Sequence, residues 1–564
     1  MEQPSKSAVK ERGAYYTPKL ISDFIVNWGL ERTHASTHIL EQSCGDGAFL
    51  RSLRSSSRLM KGKTVKILAI EMDKNEAKKS RVIGNQLRSN SNITCNTVTS
   101  EYFSYMMDVK SRANRKFNLV LGNPPYIKQS KFVKGRSLAK NRMEELGLKI
   151  NQQSNAWVYF VIDAVSRMSS DSHIGLVIPA DLLQLAYAKA VQEHLTKQLD
   201  DLLIIGFDEL VFPNIQQDVV LLLGKKSENT KNKRLGSISV KNLSCLNNDL
   251  WENFLHSKKP VNIEEVDWNL QFFADQKLSK IDKIFEKKNV LSLGNISDNR
   301  IGIVTGANSF FCVDKTKMSE LKIKRGGNKG VHVKKMIGSR MNVPGIEYTQ
   351  KDHHKNHSAN KRTNLLVFDT KYPRKKLSDE LKNYLSMGEE EGYHTRNQLA
   401  RRTPWFSSEH VISTRIGLYK RSAEFCKLFL KSEEIYHTDT IYRIWVEDDK
   451  ITPETLVFSF VNSLTYLSCE MHGRNYGGGV LELTPAEIRS LKLPIHDCTE
   501  DEFAHLDEMF RNNTSIEQIL DYTDDLTLNF LNKSERKLIR ESWRYLKNRR
   551  MNRKKRRGGS DGSK

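Results

Sequence analysis

The first 225 residues alternate short apolar runs with helical stretches, and this alternation constrains the fold more than any other feature of the sequence. The runs are bounded by Gly, Pro, Asp or Asn, and helical patterns such as Pro18–Leu30 and Trp157–Met168 lie between them. Such runs form strands that are buried on both faces, because crossover helices cover a parallel sheet on each side. The sequence therefore predicts an α/β fold with a mostly parallel, doubly wound sheet.

Beyond residue 225 the pattern changes. The segment 225–237 is polar and basic and predicts a loop, whereas short strand-like pieces with many glycines follow. The region after residue 500 is helical in pattern, and Ser515 with Gln518 fits a capping box. We predict the following division: a first domain 1–245, a connecting segment 246–289, a mixed α/β domain 290–495, a helical segment 496–557 and a disordered tail 558–564.

The chain carries a large excess of positive charge. Its 90 Lys and Arg residues against 67 Asp and Glu residues leave a formal net charge of +23. A fold does not need this excess, which favours a polyanionic partner such as nucleic acid, because Lys and Arg release counterions when they contact phosphates. A charge that serves only solubility is the alternative.

The sequence also restricts where the protein is found. No run approaches the roughly 18 apolar residues that span a bilayer, and the first residues lack the apolar core of a secretory signal. The seven cysteines are scattered and odd in number, which favours reduced thiols over a disulfide framework. We therefore expect no membrane association and a cytoplasmic location.

Two strand ends in the first domain carry residues suited to a nucleotide site. The segment Ile39–Leu50 ends a strand in an acid and passes through Gly45 and Gly47 into a helix, where free backbone N–H groups face a ligand. Leu50 replaces the third glycine of the dinucleotide fingerprint, which disfavours NAD. Glu71 ends the next run and is placed to accept hydrogen bonds from ribose hydroxyls. Each signal alone also fits a tight turn or a helix cap.

The most specific motif is Asn123-Pro124-Pro125-Tyr126, which follows the run FNLVLG. Two consecutive prolines hold the backbone in a rigid extended turn, so the Asn123 side-chain oxygen and the Pro124 carbonyl oxygen become a fixed pair of acceptors. Such a pair can grip both N–H groups of an exocyclic amine and free its lone pair for attack. Tyr126 offers a flat face for stacking a planar base. A Pro-Pro loop with a buried aromatic is the alternative.

The order of these motifs resembles that of the gamma-class adenine-N(6) DNA methyltransferases of type II restriction–modification systems. Asn123–Tyr126 resembles the catalytic motif, Gly13–Pro18 the N-terminal cofactor motif, and Val211–Pro213 the segment whose aromatic packs on a flipped adenine. Four later segments resemble the family's target-recognition region: Gly302–Phe311, Arg402–Phe406, His437–Ile444 and Arg474–Leu483. The resemblance covers roughly residues 10–495.

The resemblance implies a Rossmann-like S-adenosylmethionine-dependent methyltransferase domain, a mixed α/β target-recognition domain and a helical, basic C-terminus. It implies an adenine-specific, site-specific DNA methyltransferase (EC 2.1.1.72) that flips its target adenine out of double-stranded DNA. Its cofactor would be S-adenosyl-L-methionine. Its functional partner would be a cognate restriction endonuclease, and it would act as a monomer on DNA.

The resemblance also implies roles for individual residues. Those expected to hold the adenine are Asn123, Pro124, Tyr126 and Phe212. Those expected to bind the cofactor are Tyr16, Thr17, Pro18, Glu41, Cys44, Gly45, Gly47, Glu71, Met72, Glu101, Tyr102 and Asn123. Gln42 stands where the family has Pro, and Glu101 stands where an Asp contacts the cofactor adenine.

Other functions stay open at this point. A protein-glutamine methyltransferase shares the Asn-Pro-Pro-Tyr motif, and an RNA methyltransferase or a catalytically dead DNA-binding module fits part of the pattern. The segment Asp352–His357 is interpreted as a polar loop in preference to a zinc site. Lys128–Arg142, with six basic residues and no acid, is either a mobile loop beside the flipped base or a solvated surface. Arg544–Arg557, with nine basic residues and no acid, is predicted to touch phosphates.

Overall fold

The computed structural model describes residues 16–127, 131–151, 154–184, 188–209, 211–212, 219–227, 233–257, 268, 275–339, 342–407, 411–476 and 479–552. The chain divides into two compact units, of which the first ends at Asp275 and the second comprises Gln276–Asn475 and Gly479–Met551. The finer division made from the sequence stays a prediction. No helix of the described residues is both long and apolar enough to cross a membrane.

The first unit is built on an eight-stranded sheet in the order β3-β2-β1-β4-β5-β7-β6-β8. Its strands are β1 Ser36–Glu41, β2 Thr64–Glu71, β3 Ile93–Thr99, β4 Phe117–Gly122, β5 Met168–Pro179, β6 Asp201–Phe207, β7 Val219–Lys226 and β8 Arg234–Val240. Neighbouring strands run parallel, except that β7 is antiparallel to both β5 and β6. The predicted mostly parallel α/β sheet is confirmed.

One strand corrects the sequence analysis. β8 begins at Arg234, inside the segment 225–237 that was predicted to be a loop. The residues of β8 pair with Asp201–Phe207 of β6. Backbone hydrogen bonds to this neighbouring strand form the strand despite the polar composition of its first residues. Sheet pairing therefore decides this strand, and its own apolar content does not.

Helices cover the sheet of the first unit. They are α1 Lys19–Glu31, α2 Ala48–Ser55, α3 Lys74–Leu87, α4 Tyr102–Met107, α5 Lys110–Ala113, α6 Arg136–Glu145, α7 Trp157–Ser166, α8 Asp181–Gln184, α9 Lys189–Gln198 and α10 Asp249–Ser257. The two predicted helices are present as α1 and α7. Trp28 of α1 and Trp157 of α7 are completely buried in one continuous hydrophobic core with the strands, to which Trp251 of α10 also belongs.

The second unit is mixed α/β, as predicted. Its strands are β9 Val290–Ser292, β10 Ser297–Ile301, β11 Cys312–Val313, β12 Gly327–Asn328, β13 Val331–Ile337, β14 Glu347–Tyr348, β15 Asn364–Phe368, β16 Ile416–Tyr419, β17 Arg421–Ser422, β18 Leu428–Lys431, β19 Ile435–His437, β20 Ile441–Val446, β21 Arg474–Tyr476, β22 Val480–Glu482 and β23 Lys492–Pro494. Two five-stranded sheets have the compositions β10-β20-β16-β18-β14 and β11-β15-β13-β12 with β19 beside β13.

The helices of this part are α11 Asp275–Phe285, α12 Asn308–Phe311, α13 Lys315–Glu320, α14 Gln350–Ser358, α15 Asp379–Glu390, α16 Pro453–Ser459, α17 Ser463–His472, α18 Pro485–Ser490, α19 Glu500–Arg511, α20 Ile516–Thr527 and α21 Lys533–Asn552. The last three confirm the predicted helical C-terminus. Ser515 caps α20 by accepting the Gln518 N–H at 3.3 Å, and its hydroxyl donates to the Gln518 side chain at 2.7 Å.

Helix α14 corrects the interpretation of Asp352–His357 as a polar loop. Thr349 and Asp352 form a capping box at its first turn, and this pair of residues is a local signal for the start of a helix. His353 is buried against Tyr348, with 3.4 Å between its Nδ1 and the tyrosine hydroxyl. Burial lowers the pKa of His353 to about 4, so the ring is neutral at physiological pH.

The basic C-terminal helix differs in part from the prediction that its charges touch phosphates. Arg544 pairs with Glu517 at 2.8 Å, and Arg550 is a buried partner of Glu470 at 2.5 Å. Both guanidinium groups therefore already have carboxylate partners within the protein. Residues 553–564, which include the last five basic residues of the cluster and the predicted disordered tail, lie outside the described residues.

All seven cysteines are free thiols. Five are buried (Cys44, Cys95, Cys312, Cys426 and Cys469), and two are half-buried (Cys245 and Cys498). Burial raises the pKa of Cys95 to about 11 and that of Cys312 to about 12. The prediction of reduced thiols agrees with this arrangement.

Candidate active site

The carboxyl ends of three adjacent parallel strands bring the predicted residues together. Glu41 ends β1 and lies beside Ala69 of β2 on one side and Leu121 of β4 on the other. Glu71 ends β2, and Asn123 follows directly after β4. Crevices at this edge of a doubly wound sheet are where such folds bind their ligands.

The glycine loop after β1 is fastened to the end of β2. The Gly45 N–H donates to one carboxylate oxygen of Glu71 at 2.9 Å, and the Asp73 N–H donates to the other at 2.8 Å. Gly45 and Gly47 both have positive φ, at +53° and +88°. A Cβ at Gly47 would lie 2.7 Å from Ile83, whereas a Cβ at Gly45 would meet nothing within 4 Å. The positive φ therefore favours glycine at position 47, and open space lies beside Gly45.

Glu41 is the most unusual group at this edge. Its side chain is buried, and its Oε2 has no hydrogen-bond partner among the described residues. Burial raises the pKa of Glu41 well above its ordinary value, and the nearby carboxylates of Asp46 and Glu71 raise it further. A carboxyl group left unsatisfied in such surroundings destabilises the folded protein unless a ligand completes its hydrogen bonding.

Asn123 joins two other parts of the site. Its side-chain Nδ2 donates to Thr17 Oγ1 at 3.2 Å, so its amide is oriented by a residue two positions before α1. Ser43, in the glycine loop, donates from its hydroxyl to the Asn123 carbonyl oxygen at 3.1 Å. The residue at the start of the Asn-Pro-Pro-Tyr turn is thereby held by both predicted cofactor segments.

The two aromatic residues predicted to stack on a base belong to the core of the first unit. Tyr126 is 7% exposed and donates its hydroxyl proton to the Val177 carbonyl oxygen at 2.9 Å. Phe212 is 4% exposed. Both rings are therefore held firmly by their surroundings, and Tyr126 is anchored to β5 through its hydroxyl.

Glu101 and Tyr102 have structural partners. The Glu101 carboxylate caps α4 by accepting the N–H groups of Phe103 at 3.1 Å and Ser104 at 2.7 Å. Tyr102 is buried and donates its hydroxyl proton to Asp163 at 2.5 Å. Their predicted contacts with a cofactor stay predictions.

The remaining predicted residues differ in exposure. Tyr16 and Met72 are large side chains that are 45% and 46% exposed, whereas Cys44 is buried. Thr17 and Pro18 are half-buried. Gly13, Ala14, Tyr15, Lys128 and Pro213, which belong to predicted segments, lie outside the described residues.

Sequence reasoning missed a buried charge cluster and one loop residue, Ser43. Asp163 accepts hydrogen bonds from Arg142 Nε at 2.9 Å and Arg167 Nε at 2.6 Å, besides that from Tyr102. Ser43 was not singled out, although it sits between two glycine-loop positions that were. Gln42 fills the place of the family's proline, and its side-chain Nε2 donates to the Phe160 carbonyl oxygen at 3.2 Å.

Comparison with known proteins decides the family. The family model described as N-6 DNA Methylase matches residues 1–295, which is more than half of the chain. The chain belongs to the N-6 DNA methylase family. The model of the C-terminal domain of the type II methyltransferase M.Eco57I matches residues 265–528 of this N-6 DNA methylase. The family predicted from the motif order is confirmed.

A relative and two solved structures show how far this likeness extends. The type II methyltransferase M.AccI of Acinetobacter calcoaceticus is 22% identical over 536 residues, which cover 92% of this N-6 DNA methylase and 93% of the relative. The type IIL restriction–modification enzyme MmeI, solved in complex with DNA, is 10% identical with a TM-score of 0.55, over 94% of this chain and 75% of that chain. The type IIG restriction endonuclease BpuSI is 13% identical with a TM-score of 0.42, over 97% and 67%. The fold predicted from the sequence is confirmed.

Proposed function

We propose that this N-6 DNA methylase transfers a methyl group from S-adenosyl-L-methionine to the exocyclic N(6) of an adenine that is flipped out of double-stranded DNA. The activity is that of EC 2.1.1.72, and the methylated site is protected from a cognate restriction endonuclease. The observation that carries the proposal is the double attachment of Asn123, to Thr17 and to the Ser43 loop. This attachment supports the proposal, because hydrogen bonds join the Asn-Pro-Pro-Tyr turn to Thr17 and to the Ser43 loop.

The residues at the strand ends fit the proposed cofactor. The open space beside Gly45 admits a ligand against the loop backbone, and the unsatisfied carboxyl group of Glu41 offers a buried polar contact. Two backbone N–H groups hold the Glu71 carboxylate at the end of β2. We propose that this carboxylate binds the ribose hydroxyls of the cofactor. Tyr16 and Met72 present exposed flat or flexible surfaces suited to an adenine ring. When bound, the cofactor supplies an electrophilic methyl group.

The protein's own part in the reaction is positioning. Thr17 accepts a hydrogen bond from the Asn123 Nδ2, and we propose that the Asn123 side-chain oxygen accepts one N–H of the target amine. The Pro124 carbonyl oxygen accepts the other. Two acceptors at fixed places hold the amine so that its lone pair is available for attack, and no strong base is needed. We propose Tyr126 and Phe212 as the aromatic groups that pack on the base.

Double-stranded DNA is the substrate that the charge and the likeness favour. The formal net charge of +23 suits a polyanion, and MmeI, which shares the fold, was solved with DNA. The target amine is inaccessible within a duplex, so the enzyme must flip the nucleotide at an expense of a few kcal/mol. We propose that one copy of the chain acts on each site.

A transfer assay tests the proposal against its alternatives. The full chain is incubated with tritiated S-adenosyl-L-methionine and with plasmid DNA, transfer RNA or a protein extract in separate reactions. Label on adenine N(6) of DNA supports the proposal, whereas label on RNA or on glutamine side chains would replace it. Absence of label from every substrate would favour a DNA-binding module without activity.

An Asn123→Ala variant tests the mechanism in the same assay. We expect transfer to be abolished, with DNA and cofactor binding close to those of the wild-type protein, because the variant loses the amine grip and the hydrogen bond to Thr17 but keeps the backbone contact with Ser43. Turnover near the wild-type rate would exclude the proposed role of the turn. Protection is tested by exposing plasmids from cells that express each form to a nuclease extract of the native host.

A further inference from the structure

The second unit contains a cavity whose charged lining residues are all arginines. Its volume is about 350 Å³, enough for a nucleobase or a phosphodiester group. Three arginines line it (Arg401, Arg402 and Arg443), together with Gln398 and the backbone of residues 301–304. Among the described residues that line the cavity there is no carboxylate.

The wall of the cavity is rigid. Gly302 donates its N–H to the Ile441 carbonyl oxygen at 3.0 Å, and Ile303 donates to the His437 carbonyl oxygen at 3.0 Å. A Cβ at Gly302 would lie 2.2 Å from the Thr438 carbonyl oxygen, so only glycine fits this close approach. The main chain along one side of the cavity is therefore fastened to the turn before β20.

The three arginines do different work. Arg402 donates to the carbonyl oxygens of Val304 at 2.7 Å, Thr305 at 3.0 Å and Ser407 at 2.9 Å, and so builds the wall. Arg443 donates from Nε to the Ile301 carbonyl oxygen at 3.1 Å and from Nη1 to the Ile412 carbonyl oxygen at 3.5 Å, and its side chain lines the cavity. Arg401 is exposed at the rim.

The electrostatics of Arg443 favour a ligand rich in acceptors. Burial and the like charge of the nearby Arg300 lower the pKa of Arg443. Its guanidinium group is still a cation at physiological pH, so the folded protein holds a positive charge in unfavourable surroundings. A ligand that brings hydrogen-bond acceptors or negative charge relieves this repulsion.

We propose that this cavity receives an acceptor-rich edge of the DNA substrate, and that Arg401 and Arg443 donate to it while Gln398 flanks it. The inference rests on the proposed function, since it concerns the same DNA substrate. Two parts of DNA present paired acceptors to an arginine: the N7 and O6 edge of guanine, and two oxygens of a phosphate. The first makes the arginines determinants of sequence specificity, and the second makes them anchors for the backbone.

The experiment compares Arg401→Ala and Arg443→Lys with Lys450→Ala, which removes one positive charge from an exposed turn in the same unit. Arg443→Lys keeps the charge and loses the forked donor geometry. The methylated sequence is first mapped by single-molecule sequencing of plasmid DNA from cells that express each protein. Anisotropy of labelled duplexes, with the mapped site or a scrambled one, then gives affinities over a series of salt concentrations.

Either source of acceptors has its own signature. A guanine contact predicts a roughly 5- to 150-fold loss of affinity for the mapped site, little change for the scrambled duplex, and relaxed methylation at one base pair. A phosphate contact predicts equal losses for both duplexes and, for Arg401→Ala, a log–log salt slope shallower by about 0.9. Affinities, salt slopes and methylated sequences that match those of Lys450→Ala would overturn the inference.

Failure of the proposed function is distinguishable from failure of this inference. A wild-type protein that methylates no DNA refutes the proposed function, and the affinities of the arginine variants for random duplex still test the cavity. Wild-type cofactor binding and an unchanged melting temperature in Arg401→Ala establish that the variant is folded. A normal methylation rate with unchanged affinity in both arginine variants contradicts only the cavity.

Discussion

Glu41 shows how a single residue at the site works against the stability of the protein that carries it. Its pKa lies well above the ordinary 4.5, because burial and two neighbouring carboxylates oppose ionisation. As the pH rises, the Glu41 carboxyl group therefore releases its proton at a higher pH in the folded protein than in the unfolded chain. The stability that this group contributes is fully present below pH about 4.5 and is lost as the pH rises toward the folded pKa.

We predict that Glu41→Gln makes the cofactor-free protein less sensitive to rising pH. Glutamine does not titrate, so the fall in melting temperature between pH 5 and about 8 should be smaller in the variant than in the wild-type protein. Calorimetry should show weaker binding of S-adenosyl-L-methionine by the same variant. Identical pH profiles would mean that Glu41 is already satisfied in solution.

Thr17 allows a similarly sharp test of Asn123. Thr17→Val removes the acceptor for the Asn123 Nδ2 at nearly constant volume, whereas Thr17→Ser keeps it. We expect Thr17→Val to lower kcat by about 5-fold, because the loss of one neutral hydrogen bond of about 1 kcal/mol loosens the amide. Thr17→Ser should retain most of the activity, and equal rates in the two variants would contradict the positioning role.

At the scale of secondary-structure elements, the last helix of the second unit is fastened by a buried ion pair. Arg550 of α21 donates to both carboxylate oxygens of Glu470 on α17, at 2.9 Å and 2.5 Å. The same guanidinium group donates to the carbonyl oxygens of Ala423, Gly479 and Glu424. Every donor direction of a buried arginine is thereby used, which is the condition under which a buried pair holds together.

We predict that Glu470→Ala destabilises the protein by roughly 3–5 kcal/mol, because it leaves the Arg550 charge buried without its partner. The matched control is Lys537→Ala, which breaks a surface pair with Glu541 at 3.9 Å on the same helix. That change should alter the free energy of unfolding by less than about 1 kcal/mol. Urea unfolding of the two variants measures both values, and similar effects would show that Arg550 is solvated.

The elements also show what the sequence could and could not predict. β1, β2 and β4 are apolar strands ended by an acid or a glycine, so their place in the sheet and the meeting of Glu41, Glu71 and Asn123 were predictable. β8 was missed because its pairing with β6 is a long-range property. The helical state of α14 was not predicted from Asp352–His357, because its capping box depends on Thr349, which lies before that segment.

At the scale of the whole molecule, the basic side chains that make up the excess positive charge differ in whether they have a carboxylate partner. Some basic side chains are committed to carboxylates, as Arg544 is to Glu517, and others face solvent. Counting charges along the sequence cannot separate these groups, because the partners are distant in sequence. The same limit applies to Arg401 and Arg443, which lie 42 positions apart and meet only through the fold.

We predict that truncation after Asn552 lowers DNA affinity about equally for cognate and random duplexes. The change removes six basic residues and one acid without touching Trp543 or Arg550, both of which are buried. Each lost phosphate contact should make the log–log salt slope shallower by about 0.9. Filter binding over a salt series measures the slope, and a slope equal to that of the full chain would show that the tail makes no contact.

The burial of most thiols opens a route to observing DNA docking directly. A thiolate attacks a maleimide reagent, whereas a protonated thiol hardly reacts. Burial raises the pKa of Cys312 to about 12, so almost none of this group is thiolate at neutral pH. Replacement of the half-buried Cys245 and Cys498 by serine would leave a background that resists labelling. A fluorophore on an Ala400→Cys variant, at the exposed residue next to Arg401, would then report, in stopped-flow mixing, how fast a duplex reaches the cavity and how long it stays.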